Sequence, residues 1–318
     1  MRMLAAAAIL FSVAPGLASE PSASGEDTAA EPSSVLIPLG RTRLGHFTVD
    51  LHLDRPVLTE QDSASRREIP VVLDTAASHT ALRGPVAEQL NDGAPFVLDR
   101  VAHSTTGEFL TDTFILANAD FGTGPRDILS IVLPGPDNTA PGSEGFLGTS
   151  AFDAERVEID FTRSRLTVDP RLQVAGDLRL DPARGIVVGY ATMRGIDQPV
   201  RILIDTGSNA SVANSVLAGR RTRPDPLQEA VVEGVDGQAR LRSERRRLFG
   251  GLQVGDLCFP VFWATVLDVH AFDNLGWTDE PAMLIGLDIL DDARLRIDYE
   301  SGAVDIEGVT DTACERAG

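Results

Sequence analysis

Apolar and polar positions alternate in short runs along most of the chain. Val157, Ile159 and Phe161 alternate with Glu158 and Asp160, and Leu166 and Val168 resume the pattern after a turn at Thr162–Arg165. That period of two predicts a half-buried hairpin. Elsewhere the apolar run is unbroken: Val71-Val72-Leu73 and Ile202-Leu203-Ile204 read as buried strands, and each ends on an aspartate. Helical stretches are brief, near Pro85–Leu90, Ala213–Ala218 and Leu287–Asp292. Many short strands punctuated by Gly and Pro favour an all-β chain of two small barrels or sandwiches over an α/β layering.

The pattern repeats. Asp74-Thr75-Ala76-Ala77-Ser78 and Asp205-Thr206-Gly207-Ser208 stand 205 − 74 = 131 residues apart. The stretch Val101 to Gly107-Glu108 resembles Val231 to Gly237-Gln238, at 237 − 107 = 130. Phe146-Leu147-Gly148 matches Leu284-Ile285-Gly286, and Val157–Phe161 matches Leu295–Tyr299, both at an offset of 286 − 148 = 138. An offset that holds its register over four blocks and steps once implies a duplication with one insertion in the second copy. The insertion is placed near Asn274-Leu275-Gly276-Trp277. The division is then a first lobe over 35–170, a linker over 171–184, a second lobe over 185–307 and a tail over 308–318.

The N-terminus reads as a leader. Met1-Arg2-Met3, an apolar run from Leu4 to Val13 and the small residues Gly16 and Ala18 describe a signal peptide over 1–18, cut after Ala18. Residues 19–34 carry no large apolar side chain and read as a disordered leader, with a cleavable pro-segment as the alternative. An exported protein, periplasmic or secreted, is the expectation. In such a compartment Cys258 and Cys314 would be joined.

The formal charge of −19 excludes nucleic acid and anionic membranes as natural partners. Every basic residue is arginine. The run Arg240, Arg242 and Arg245-Arg246-Arg247 reads as a solvated strand face, His79 as a surface residue at a helix entry, and Trp277 as ordinary packing. No His-Glu-x-x-His, paired Cys-x-x-Cys, Gly-x-Ser-x-Gly or complete phosphate loop is present.

A carboxylate at the end of a buried strand is costly, and two in matching halves suggest that they face each other. Such a pair shares one proton, so one carboxylate can take a proton from water while the other donates to a carbonyl oxygen. These residues resemble the aspartic protease superfamily, which includes the pepsins and the retroviral-type proteases. Its mark is an apolar strand ending in Asp-Thr/Ser-Gly, followed later in the lobe by an apolar-apolar-Gly strand. The resemblance covers about Val35 to Glu307.

The resemblance implies two homologous acid-protease-type β-barrel lobes in a pseudo-two-fold arrangement with a few short helices. Asp74 and Asp205 are then catalytic, Thr75 and Thr206 interlock beneath them, and Ala76, Gly207 and Ser208 complete the support. The segments around Gly107 and Gly237 are the candidate flaps. The only tyrosines, Tyr190 and Tyr299, lie far from Gly107, so the lobes look like a retroviral-type dimer fused into one chain. Peptide or protein is the implied substrate, with no cofactor or metal and no second chain. Two points remain for the structure. Ala76 replaces the family's glycine, so a catalytically degenerate peptide-binding protein is the rival reading. Ser208 is expected to donate its hydroxyl to Asp205, leaving Asp205 ionised and the proton on Asp74.

Overall fold

A computed structural model of the chain describes residues 4–5, 9–11, 34–59, 62–91, 96–134, 141–152, 155–219, 223–224, 230–233, 240–243 and 246–308. Gly237 and Cys314 lie outside these residues. With 55% strand against 11% helix, the layers are sheets and the few short helices only trim them. Among the described residues no helix is long and apolar enough to cross a membrane.

In the second half six strands close into a barrel. Their order round the ring is Val187–Met193, Ile196–Ile204, Ala282–Ile285, Val212–Ala213, Leu257–Val266 and Arg246–Val254, which returns to the first. In the first half Phe47–Thr59, Asp62–Leu73, Gly145–Leu147, Thr80–Arg83, Arg126–Leu133 and Glu108–Ala119 follow one another in the same parallel and antiparallel senses. There the last strand reaches the first only through two backbone hydrogen bonds between His52 and Asp120, at 2.7 and 3.0 Å. The alternation expected of strands is plain in the first of these. Val49, Leu51 and Leu53 are buried while Asp50, His52 and Asp54 are exposed. The two runs that end on aspartates are buried throughout, because each is hydrogen-bonded on both sides and covered on both faces.

The sheet of the second-half barrel continues from Val187–Met193 and joins the halves, in the order Leu178–Leu180, Ala303–Gly308, Ala293–Asp298, Arg156–Asp160, Arg165–Val168 and Val35–Pro38. At its middle Val157 pairs with Ile297 and Ile159 with Leu295. These are the segments that match each other in the repeat. Their apolar side chains face the core, and their outer faces carry arginine–carboxylate pairs: Arg296 with Glu158 at 2.9 Å, Arg156 with Asp298 at 3.0 Å and Arg294 with Asp160 at 3.4 Å. Leu178–Leu180 belongs to the stretch expected to be linker, so part of 171–184 is an edge strand.

Helices stand near the three expected places, at Gly84–Leu90, Ser215–Ala218 and Leu287–Leu290. A fourth, His270–Asn274, was not anticipated. Strand register also splits the insertion. Ala81 and Val212 are equivalent (212 − 81 = 131), their parallel neighbours Ile131 and Thr265 differ by 265 − 131 = 134, and Phe146 and Leu284 differ by 284 − 146 = 138. About half of the extra length therefore precedes Leu257–Val266, and the rest holds the extra helix.

Near the N-terminus, Leu4–Ala5 pairs with Val231–Val232 and Ile9–Phe11 with Ala102–Ser104. Cys258 is disulfide-bonded.

Candidate active site

Each aspartate sits where a buried strand breaks into a turn. The amide of Asp74 donates to the Leu147 carbonyl at 3.1 Å, and that of Asp205 to the Ile285 carbonyl at 3.0 Å. One step on, Thr149 donates to Ala77 and Leu287 to Ser208, both at 2.8 Å. The apolar-apolar-Gly strands thus hold the turns from the side, and their glycines explain themselves. A Cβ on Gly148 would lie 2.4 Å from the His79 carbonyl carbon, and one on Gly286 would lie 2.8 Å from that of Ala210. No side chain fits so close to backbone.

The two turns are bonded to each other through their threonines. The Thr75 amide donates to the Thr206 hydroxyl at 3.0 Å, and that hydroxyl donates to the Leu73 carbonyl at 2.7 Å. In return the Thr206 amide donates to the Thr75 hydroxyl at 3.3 Å, which donates to the Ile204 carbonyl at 2.9 Å. Four buried backbone groups are satisfied this way, two from each half. The aspartates are carried into contact range by the same arrangement. A Cβ on Gly207 would fall 2.4 Å from Oδ2 of Asp74 and 2.5 Å from its Cγ. Gly207 is needed to let the Asp74 carboxyl in.

Both carboxyls are buried, Asp74 at 1% exposed and Asp205 at 0%. Asp74 accepts the Ala76 amide at 2.9 Å. Its other oxygen and both oxygens of Asp205 have no hydrogen-bond partner. Two buried carboxylates within reach of each other cannot both be ionised cheaply, and a shared proton supplies the missing donor. Burial raises the Asp74 pKa to about 7 against the pull of its amide bonds. Burial also raises Asp205 well above its ordinary value, reinforced by the Asp74 charge; the amides of Gly207 and Ser208 only partly oppose this, because neither makes a well-formed hydrogen bond to it. The support expected from Ser208 is absent. Ser208 donates its hydroxyl to the Ala210 carbonyl at 2.8 Å, not to Asp205. Asp205 is the better proton holder and Asp74 the more acidic partner.

The substitution at Ala76 is also resolved. The only non-glycine residues with positive φ among those described are Asn118 and Ser164, so Ala76 adopts a backbone that any residue accepts. Its amide still reaches Asp74. Its methyl belongs to an apolar cluster with Ile186, Leu203, Ala210 and Phe272, all from the second half.

Of the two candidate flaps, Gly107 closes a tight turn between Val97–Ser104 and Glu108–Ala119, where the Ser104 amide donates to its carbonyl at 2.7 Å. The neighbouring Thr105 carbonyl accepts the His270 amide at 3.0 Å, tying the turn to the second half. Gly237 cannot be placed. A cavity of about 810 Å³ opens beside the site, lined by Ser78, His79, Thr149 and Arg184 among others but by neither aspartate. His79 is half-buried there, with its pKa lowered by burial, and is not the surface residue expected. Trp277 is buried in the cluster that holds Ala76.

No family model matches the chain, and no curated protein matches it. What the paired turns can do is read from their geometry. They present two protonatable oxygens side by side, unequal in proton affinity, with no metal-binding set of His, Cys, Asp or Glu at the aspartates among the described residues. Sequence reasoning missed the backbone acceptors Leu73, Leu147, Ile204 and Ile285, whose side chains carry no signal of the role.

Proposed function

We propose that the chain is an aspartic-type endopeptidase, built as two acid-protease-like lobes about a pseudo-two-fold axis through Asp74 and Asp205. What carries the reading is the reciprocal Thr75–Thr206 lattice beneath two buried carboxyls whose facing oxygens lack partners. The matching order of strands round the two halves supports it. Asp74, ionised, takes a proton from a water held between the pair. As the water oxygen bonds to the scissile carbonyl carbon, Asp205 donates its proton to the carbonyl oxygen; the tetrahedral diol then collapses as Asp74 passes its proton to the amide nitrogen, the C–N bond breaks and a hydroxyl proton returns to Asp205. Fused lobes supply both aspartates from one chain, so the working unit is a monomer. The substrate is an extended segment of peptide or protein.

The test sets the full chain beside Asp74→Asn, Asp205→Asn and Ala76→Gly on a mixed peptide library. Cleavage reduced by about 10²–10⁴ in either Asn variant supports the proposal. Peptides retained but never cut, by any variant, would make the chain a peptide-binding scaffold instead. Cleavage that appears only in Ala76→Gly would mark the natural site as degenerate.

A further inference from the structure

One cluster of side chains lies outside the aspartate site and also spans the halves. His103 and Glu108 are a cross-strand pair, so their side chains leave the hairpin on the same face. The hairpin turn between them is fixed by the Ser104 hydroxyl, which takes the amides of Thr106 and Gly107 at 3.2 and 3.1 Å. From the second half His270 is brought in by its own backbone bond to Thr105. The two imidazoles meet end to end, their nitrogens in hydrogen-bond contact at 3.2 Å, with centroids 5.5 Å apart and planes 16° from parallel.

The donor atoms form a compact triangle. His103 Nδ1 lies 3.2 Å from His270 Nε2 and 3.3 Å from Glu108 Oε1, and His270 Nε2 lies 3.8 Å from the same oxygen. Metal–ligand bonds of about 2.0–2.1 Å to a tetrahedral zinc ion set neighbouring donors about 3.3–3.4 Å apart. Two edges already match that value within about 0.2 Å; the third needs a small shift of Glu108, which is exposed, and both rings turn so that the lone pairs now aimed at each other converge on the ion. The side chains of His103 and His270 are 15% and 21% exposed, so an ion can enter and keep a water as fourth ligand. The nearby cation Arg184 is engaged by Asp181 at 3.0 Å and by the Asn274 carbonyl at 3.0 Å.

We propose that His103, Glu108 and His270 bind one divalent transition-metal ion of zinc type, clipping the Ser104–Gly107 hairpin of the first half to the His270–Asn274 helix of the second. Two imidazole nitrogens and one carboxylate oxygen suit a borderline ion such as Zn²⁺ better than the hard, all-oxygen preferences of Mg²⁺ or Ca²⁺. The site is separate from the aspartates and does not depend on their proposed chemistry.

Cobalt(II) is the probe, because its visible absorption reports a low-coordinate nitrogen–oxygen environment directly. Titrating the chelator-stripped full chain should give an absorption that saturates at one Co²⁺ per chain and is erased by added Zn²⁺. His103→Ala and His270→Ala should abolish it. Glu108→Gln, at an exposed position that does not endanger folding, should weaken binding by at least about tenfold. Absence of a saturable absorption overturns the proposal, and so does an unchanged one in His270→Ala. Either result would make the three side chains a plain ion-pair and hydrogen-bond cluster.

Discussion

The two aspartate turns share their backbone hydrogen bonds but differ in what surrounds them. In the first, Asp74 accepts an amide hydrogen bond and lies against the bare backbone of Gly207. In the second, Asp205 has no partner on either oxygen. Behind the second turn, Ser211 donates to Asp288 at 2.6 Å and accepts the Gly286 amide at 3.0 Å. The corresponding positions in the first are Thr80 (211 − 131 = 80) and Ser150 (288 − 138 = 150), and the Thr80 hydroxyl is buried without a partner. Two like carboxyls thus lie in unequal surroundings. The turn with glycine is the one that needs it, and the turn with alanine has a second-half pocket for the methyl.

The comparison can be broken most severely at Gly207. Gly207→Ala puts a methyl into the Asp74 carboxyl, and should lower stability by about 1–3 kcal/mol and remove peptide cleavage. Full activity with an unchanged urea midpoint would show that the turns do not meet as described. Next come the threonines. Thr206→Val strips the Leu73 carbonyl and Thr75 amide of their partner, and Thr75→Val does the same to Ile204 and Thr206. Each should cost about 1–3 kcal/mol. The double variant should cost less than the sum, because both remove one lattice; strict additivity in a double-mutant cycle would argue against it.

The acid–base division predicts a pH dependence. Asp74 is shifted by burial from 3.8 to about 7 in the folded chain, and Asp205 is raised well above 3.8 as well. Between those values the folded state keeps protons that the unfolded chain has released. Stability from this source is therefore full below about pH 3.8 and is lost as pH rises through about 7, where Asp74 ionises in the folded chain. The urea midpoint should track that fall, and Asp205→Asn should flatten it by removing one of the two raised groups. The smallest effect belongs to Ala76→Gly. No strain is relieved and a buried methyl is lost, so a decrease of about 0.5–1 kcal/mol is expected, with little change in cleavage.

Much of this site was legible in the chain. The glycines of the apolar-apolar-Gly strands, and the recurrence of Asp-Thr after an apolar run, are local signals that survive duplication. The partner of Ser208 was not legible, because a serine hydroxyl has a backbone carbonyl two residues away as a ready competitor for any carboxylate. Nor was the division of the insertion, since no shared motif lies between Gly237 and Leu284 to anchor the register. His270–Asn274 is too short to show a helical period. His103 and Glu108 flank a visible turn, yet their link to His270 spans 167 residues and leaves no trace in sequence spacing.

The strand Ala303–Gly308 is bonded on one side to Ala293–Asp298 and on the other to Leu178–Leu180, which pairs with Val187–Met193, so it ties the second-half barrel to the strands that join the halves. A chain stopped just before Ala303 holds every residue of both aspartate turns. It also has two open strand edges and no means of sealing them. During synthesis both aspartate turns are therefore made before the strand that closes this part of the sheet.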